Sequence, residues 1–171
     1  MFRALLALLM FVNLSAAAEP LRELTWEALI PPDAPKLAPQ MAPMHDLSKM
    51  GTALAEAGPA AAQQAPHAPV VKSLDQQQVR LPGYIVPLEV NEQGRTVEFL
   101  LVPYYGACIH VPPPPSNQIV HVTSELGVKV EELYQPYWIE GPMQVKPISS
   151  ELAEAGYQMS AEKIYVYELP D

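Results

Sequence analysis

Cysteine is nearly absent from this chain, and its one cysteine, Cys108, has no partner with which to close an internal disulfide. Basic side chains are scarce too. Ten Lys and Arg stand against 19 Asp and Glu, a formal net charge of -9, and this balance argues against nucleic acid as a partner. After the first dozen residues no apolar run approaches the roughly 18 residues that a membrane span needs. No cysteine follows that first run to accept a lipid, and no internal repeat is visible.

What is present at the N-terminus sets the compartment. Arg3 supplies a positive start, Ala4 to Val12 an apolar stretch and Ala16-Ala17-Ala18 a small-residue cleavage site. Residues 1–18 therefore read as a secretory signal peptide, which predicts a soluble mature chain starting near Glu19 in a periplasm of the Gram-negative type. Removing this leader takes Arg3 and no acid, leaving 9 basic against 19 acidic residues. In an oxidising compartment a lone thiol must be buried, metal-bound, reactive or paired with another molecule.

The length predicts one domain with a tail. Residues 19–72 read as an arm. LRELTWEALIPP, with Leu21, Leu24, Trp26, Leu29 and Ile30 apolar and Pro31-Pro32 as a stop, predicts a short helix or extended piece packed on the main domain. From Pro31 to Lys72 the chain is rich in Pro, Ala and Gln and reads as a linker. Residues 73–171 hold the folded body. Strands are expected at Gln78 to Val90, bent at Pro82-Gly83, at Val97 to Tyr105, at Gln118 to Ser124, at Tyr137 to Val145 with an interruption at Gly141-Pro142, and at Lys163 to Leu169. Ser150 to Ala155 reads as one helical turn. Five bent strands and one short helix predict a mainly β fold, a small, partly open barrel of the OB type, with a β-sandwich as the alternative.

The segment from Gly106 to Gln118, GACIHVPPPPSNQ, carries the chemistry. Four consecutive prolines fix four φ angles and offer no backbone donors, so they predict a stiff polyproline II element. As an exposed loop, Val111, Pro112, Pro113, Pro114, Pro115 and Asn117 would form a docking surface with little entropy left to lose. On an extended strand Cys108 and His110 share a face. If the proline run is a hairpin loop centred between Pro114 and Pro115, Cys108 faces His121 and His110 faces Ile119, so Cys108, His110 and His121 project together. One thiolate and two imidazoles suit Zn²⁺, at roughly 2.3 Å for sulfur and 2.0 to 2.1 Å for nitrogen, with a fourth position for water, Glu125 or a partner. A one-residue slip removes His121 from the set.

Two other readings of the pair stand beside this one. Cys108 can be a small core hydrophobe and His110 a donor to a backbone carbonyl. Alternatively the pair is a nucleophile and its base, with Asn117 orienting His110, although no oxyanion donor is identifiable. In the linker, Met41, Met44, His45 and Met50 make a thioether and imidazole cluster compatible with copper, or they pack an alanine-rich helix. His67 reads as solvated.

The blocks LPGYIVPLE and EFLLVPYYGACIHVPPPPSNQIV resemble the family designated domain of unknown function 3299, and the resemblance runs from TWEALIPP to the terminal strand. Members look like small exported proteins or lipoproteins, often encoded beside an ABC-transporter ATPase and an FtsX-like permease, and sometimes beside a histidine-rich periplasmic protein linked to zinc. The resemblance implies a non-enzymatic accessory of such a permease, with zinc as the expected metal and the permease or the periplasmic metal-binding protein as the expected partner. It carries over Cys108 and His110; His121 is not a fixed element of the block. Ser116 replaces a fifth proline found in many members, and no lipid-acceptor cysteine is present, so membrane association would come through a partner.

Overall fold

The computed structural model describes residues 20–35, 62–108, 112–131 and 134–168. Within them the chain is mainly β: β1 (Arg22–Glu23), β2 (Gln78–Val90), β3 (Thr96–Val102), β4 (Val120–Val128), β5 (Tyr137–Gln144), β6 (Ile148–Ser149), β7 (Glu154–Ala155), β8 (Tyr157–Ser160) and β9 (Lys163–Val166). Five strands close a mixed barrel in the order β2, β3, β4, β8, β5 and back to β2, with β1 and β9 as extra strands on β2 and β5. It is mixed because β4 and β8 run parallel, Val120 opposite Tyr157 and Thr123 opposite Ser160, whereas the other barrel pairs are antiparallel.

The bend expected at Pro82-Gly83 is the place where β2 changes partner. Gln78 to Gly83 pairs with β5, and from Tyr84 onward the strand pairs with β3. Gly83 permits the change: a Cβ there would lie 2.8 Å from Val102 O and 2.9 Å from Leu101 Cγ, a clash with backbone that cannot shift cheaply. Gly141-Pro142, read from sequence as an interruption, lies within continuous β5.

Alternation along the strands builds two cores. Val79, Leu81, Ile85, Phe99, Leu101, Val120 and Val122 point into the barrel with Ile139, Met143, Tyr157 and Met159. Val86, Leu100, Val102 and Ile119 point outward, yet they are buried because Ala107, Ala153 and Ala155 cover them. The cover is the β6–β7 hairpin together with the segment after β3. Ser150 to Ala155, expected as a helical turn, is instead the tip and second strand of that hairpin. The Ser150 hydroxyl donates to Ala153 O at 2.8 Å and accepts from Ala153 N at 3.1 Å, satisfying the turn locally and competing with a helix. Helical structure among the described residues is limited to short 3-10 turns at Trp26–Leu29, Lys72–Leu74 and Ser116–Gln118.

Two segments N-terminal to Ser73 belong to the folded body. Leu24 and Leu29 are buried in the barrel core, and the Trp26 indole donates to Pro82 O at 2.7 Å. From the other side Val70 and Val71 pack on the same core. The hydroxyl of Tyr157, itself fully buried, joins both: it donates to Leu29 O at 2.8 Å and accepts from Val71 N at 2.7 Å. Residues 62–72, read from sequence as linker, are thus fastened to the barrel. The leader at 1–18 and the cluster of Met41, Met44, His45 and Met50 lie outside the described residues, while His67 is exposed.

Candidate functional site

After β3 the chain crosses the outer face of the barrel. Ala107 is fully buried in the outer core and anchors the crossing. Gly106 and Cys108 on either side of it take left-handed conformations, φ 81° and 65°. For glycine this is free, but for cysteine it costs on the order of 1 to 2 kcal/mol. Cys108 is therefore not on an extended strand, and the same-face argument that joined it to His110 does not apply at that residue. The cysteine packs against the outer core in a half-buried position, and burial pushes its thiol up to about 11, so it is protonated at neutral pH. Burial also raises the phenol of neighbouring Tyr104, and its proximity to Cys108 adds to the rise. His110, with Ile109 and Val111, lies outside the described residues.

His121 does not face Cys108. It sits within β4 with Leu100 of β3 opposite on one side and Gln158 of β8 on the other. The expected register assumed a tight hairpin around the prolines, whereas β3 and β4 pair with Leu101 opposite Val120 and Leu100 opposite His121, so Cys108 lies beyond the end of the pairing. His121 is buried at 5% exposure, with Nε2 2.8 Å from Glu98 Oε1. Glu98 is on the same outer face, two positions before Leu100, and alternation along VEFLLV would have indicated it had the β3–β4 register been known. Every buried side-chain nitrogen or oxygen among the described residues has a hydrogen-bond partner. Glu125, considered as a fourth ligand, instead lines a groove with Val97, Leu126, Pro142 and Glu162.

The proline run is not an exposed loop. Pro113 and Pro114 are buried, as is Asn117, and Pro112 and Pro115 are half-buried. The run lacks donors of its own, and two of its carbonyls are satisfied by residues about fifty positions earlier: Gln64 N donates to Pro113 O at 3.3 Å and Gln63 Nε2 to Pro114 O at 2.9 Å, while Pro115 O accepts from Gln118 N at 2.8 Å. Asn117 Nδ2 donates to Pro69 O at 2.8 Å, an anchoring role in place of the orientation of His110. Gln63, which no sequence signal marked, is the residue that holds the run.

A family model described as "Protein of unknown function (DUF3299)" matches residues 26–166. The chain belongs to the DUF3299 family. The crystal structure of a DUF3299 family protein from Pseudomonas aeruginosa PAO1 is similar to it, with 61% identity and a TM-score of 0.76, over 89% of this chain and 99% of that one. No curated protein matches. Within this DUF3299 chain the described residues hold no group of three or more His, Cys, Asp or Glu side chains placed to take a metal. Cys108 is half-buried, while His121 is committed to Glu98. A metal would thus find an incomplete ligand set among these residues, with one soft ligand, Cys108.

Proposed function

We propose that this DUF3299 protein is a non-enzymatic accessory in the bacterial envelope that serves an ABC-type permease system and binds a transition metal, zinc first, at a half-site made by Cys108 with His110. The remaining ligands come from water or from the partner, so the site is one for shared or transferred metal. The observation carrying this reading is the placement of Cys108: held at φ 65° beside a fully buried alanine, and itself only half-buried. A protonated thiol is a poor nucleophile and resists oxidation by the thiolate route, which disfavours a thiol enzyme and preserves a lone cysteine in an oxidising compartment. A soft metal ion removes this protection by displacing the proton and taking the sulfur as thiolate.

Calorimetric titration of the mature chain with Zn²⁺ tests the proposal. About one equivalent should bind with proton release, and Cys108→Ser should weaken binding far more than His67→Ala does. Absence of binding heat, or equal affinity in the two variants, overturns the reading. A second reading, a protein-docking module without metal, is favoured by the aromatic surface near the crossing, where Tyr104 and Tyr105 are exposed and the Tyr84 and Tyr105 rings lie 6.2 Å apart. It predicts partner capture that survives Cys108→Ser.

A further inference from the structure

Toward its end β4 loses both of its neighbours. The β3–β4 ladder pairs Glu98 with Thr123 and resumes only at Thr96 with Val128, which sets Val97 alone against Ser124, Glu125, Leu126 and Gly127. On the other side β8 pairs no further than Ser160 opposite Thr123, and Ala161 N donates to Thr123 O at 2.8 Å. Ser124 to Gly127 therefore form a bulge with no strand partner among the described residues.

The bulge is held in one shape by side chains. Arg95 forks onto it, Nε donating to Leu126 O and Nη2 to Gly127 O, each at 2.6 Å, and Gly127 N donates to Ser124 Oγ at 3.1 Å. Gly127 accepts the left-handed φ of 63° that this turn requires. Bulges of this kind re-aim a side chain, and here it is Leu126, at 78% the most exposed large apolar residue among those described. Leu126 and Glu125 line a groove of about 650 Å³ with Val97, Pro142 and Glu162. It lies at the opposite end of the β3–β4 ladder from Cys108.

Charge selects the occupant. Glu125 and Glu162 line the groove and no basic side chain does. The neighbouring cations are engaged elsewhere, Lys163 with Glu140 at 3.1 Å and Arg95 with the bulge carbonyls, while Glu162 meets only the neutral Gln78 amide at 3.4 Å. A second copy of this chain, with its formal net charge of -9, would bring like charge to the groove.

We propose that the groove docks an extended segment of another protein bearing lysine or arginine. The segment pairs its backbone with the bulge, sets its cations on Glu125 and Glu162, and covers Leu126 with an apolar side chain. This docking needs neither a metal nor Cys108.

Fluorescence anisotropy tests it with a labelled peptide of alternating Lys and Val, titrated with the mature chain at physiological salt. Binding should be saturable, and joint Glu125→Gln and Glu162→Gln should weaken it about three- to thirtyfold, as two modest ion pairs are lost. Leu126→Ala should weaken it roughly tenfold. Asp33→Asn with Glu151→Gln makes the same charge change at exposed acids outside the groove, and should change affinity less than about twofold. Alternating Lys and Pro should bind poorly, since proline removes the donors that strand pairing uses. Absence of saturable binding, equal weakening by the two double variants, or indifference to Leu126→Ala overturns the proposal. A second measurement needs no variant: the peptide should shift the amide resonances of Ser124 to Gly127, Ala161 and Glu162, and shifts confined to other residues overturn it. Sedimentation covers the remaining occupant, because a wild-type dimer that Leu126→Ala dissociates would assign the groove to a second copy and overturn the basic partner.

Discussion

Replacing Tyr157 by Phe removes one oxygen from a fully buried site and leaves the ring where it is. That oxygen accepts from Val71 N and donates to Leu29 O, at 2.7 and 2.8 Å. Two net hydrogen bonds contribute about 0.5 to 1.5 kcal/mol each, and a buried group left without a partner costs roughly 1 to 3 kcal/mol more. Partial relaxation of the arm brings the expected loss to about 2 to 4 kcal/mol, a large share of the roughly 5 to 15 kcal/mol typical of a domain. For a chain of this size the melting temperature should fall by about 5 to 15 °C. Urea unfolding followed by circular dichroism gives the free energy directly, and the slope should be unchanged if only the native state is affected. Burial raises the phenol above its ordinary value, so the loss should be the same across neutral pH. Limited proteolysis should also show earlier cutting between Pro31 and Lys72 in the variant, because the same hydroxyl holds both flanks of that stretch. A loss below about 1 kcal/mol would refute the reasoning, since it would mean that Leu29 O and Val71 N find other partners without difficulty.

Gly141→Ala should prevent a stable fold, because the new Cβ would lie 2.3 Å from Ser160 O, a backbone atom of the neighbouring strand; the check is loss of a cooperative thermal transition. Glu140 is held below its ordinary value of 4.5, first by the Tyr165 hydroxyl and then by Lys163 and Arg80. Its contribution to stability is therefore present above about 4.5 and is lost as pH falls through the lower folded value. Acid unfolding of Glu140→Gln should accordingly show a shallower decline below about pH 4.5 than the wild type does, and parallel curves would count against the assignment. Joint replacement of the buried Pro113 and Pro114 by Gly should lower stability by about 1 kcal/mol or more per site, through added freedom of the unfolded chain and lost burial. A melt indistinguishable from the wild type would restore the exposed-loop expectation.

Much of the barrel is legible in the sequence where a pattern has a local cause. Gln78 to Val90 is a strand over its full expected length because its apolar residues alternate, and Pro82-Gly83 marks the partner change because only a residue without a Cβ fits beside Val102. The strand Tyr157 to Ser160 escapes notice: it has four residues, and its pairing with β4 is parallel and therefore contributed by distant chain. The site was less legible than the fold. A left-handed φ at Cys108 has no sequence signature in a non-glycine residue, and the expectation that His121 faces it followed from assuming the shortest connection. The burial of the prolines depends on donors from Gln63 and Gln64, residues in a Pro, Ala and Gln tract that composition alone assigns to a linker. Local rules say that a proline run lacks donors, but they do not say which distant segment will supply them.

Parallel pairing of β4 with β8 bears on how the chain acquires its structure. The barrel closes only when Tyr157 to Ser160 is inserted between Val120 to Thr123 and Met143 to Gln144, and the N-terminal Leu24 and Leu29 have no finished core to enter before then. High contact order of this kind delays folding until nearly the whole polypeptide has been made available. In a chain emerging N-terminus first from a ribosome, the barrel therefore cannot close until Tyr157 to Ser160, close to the C-terminus, has emerged, and the earlier apolar strands need protection from one another until then.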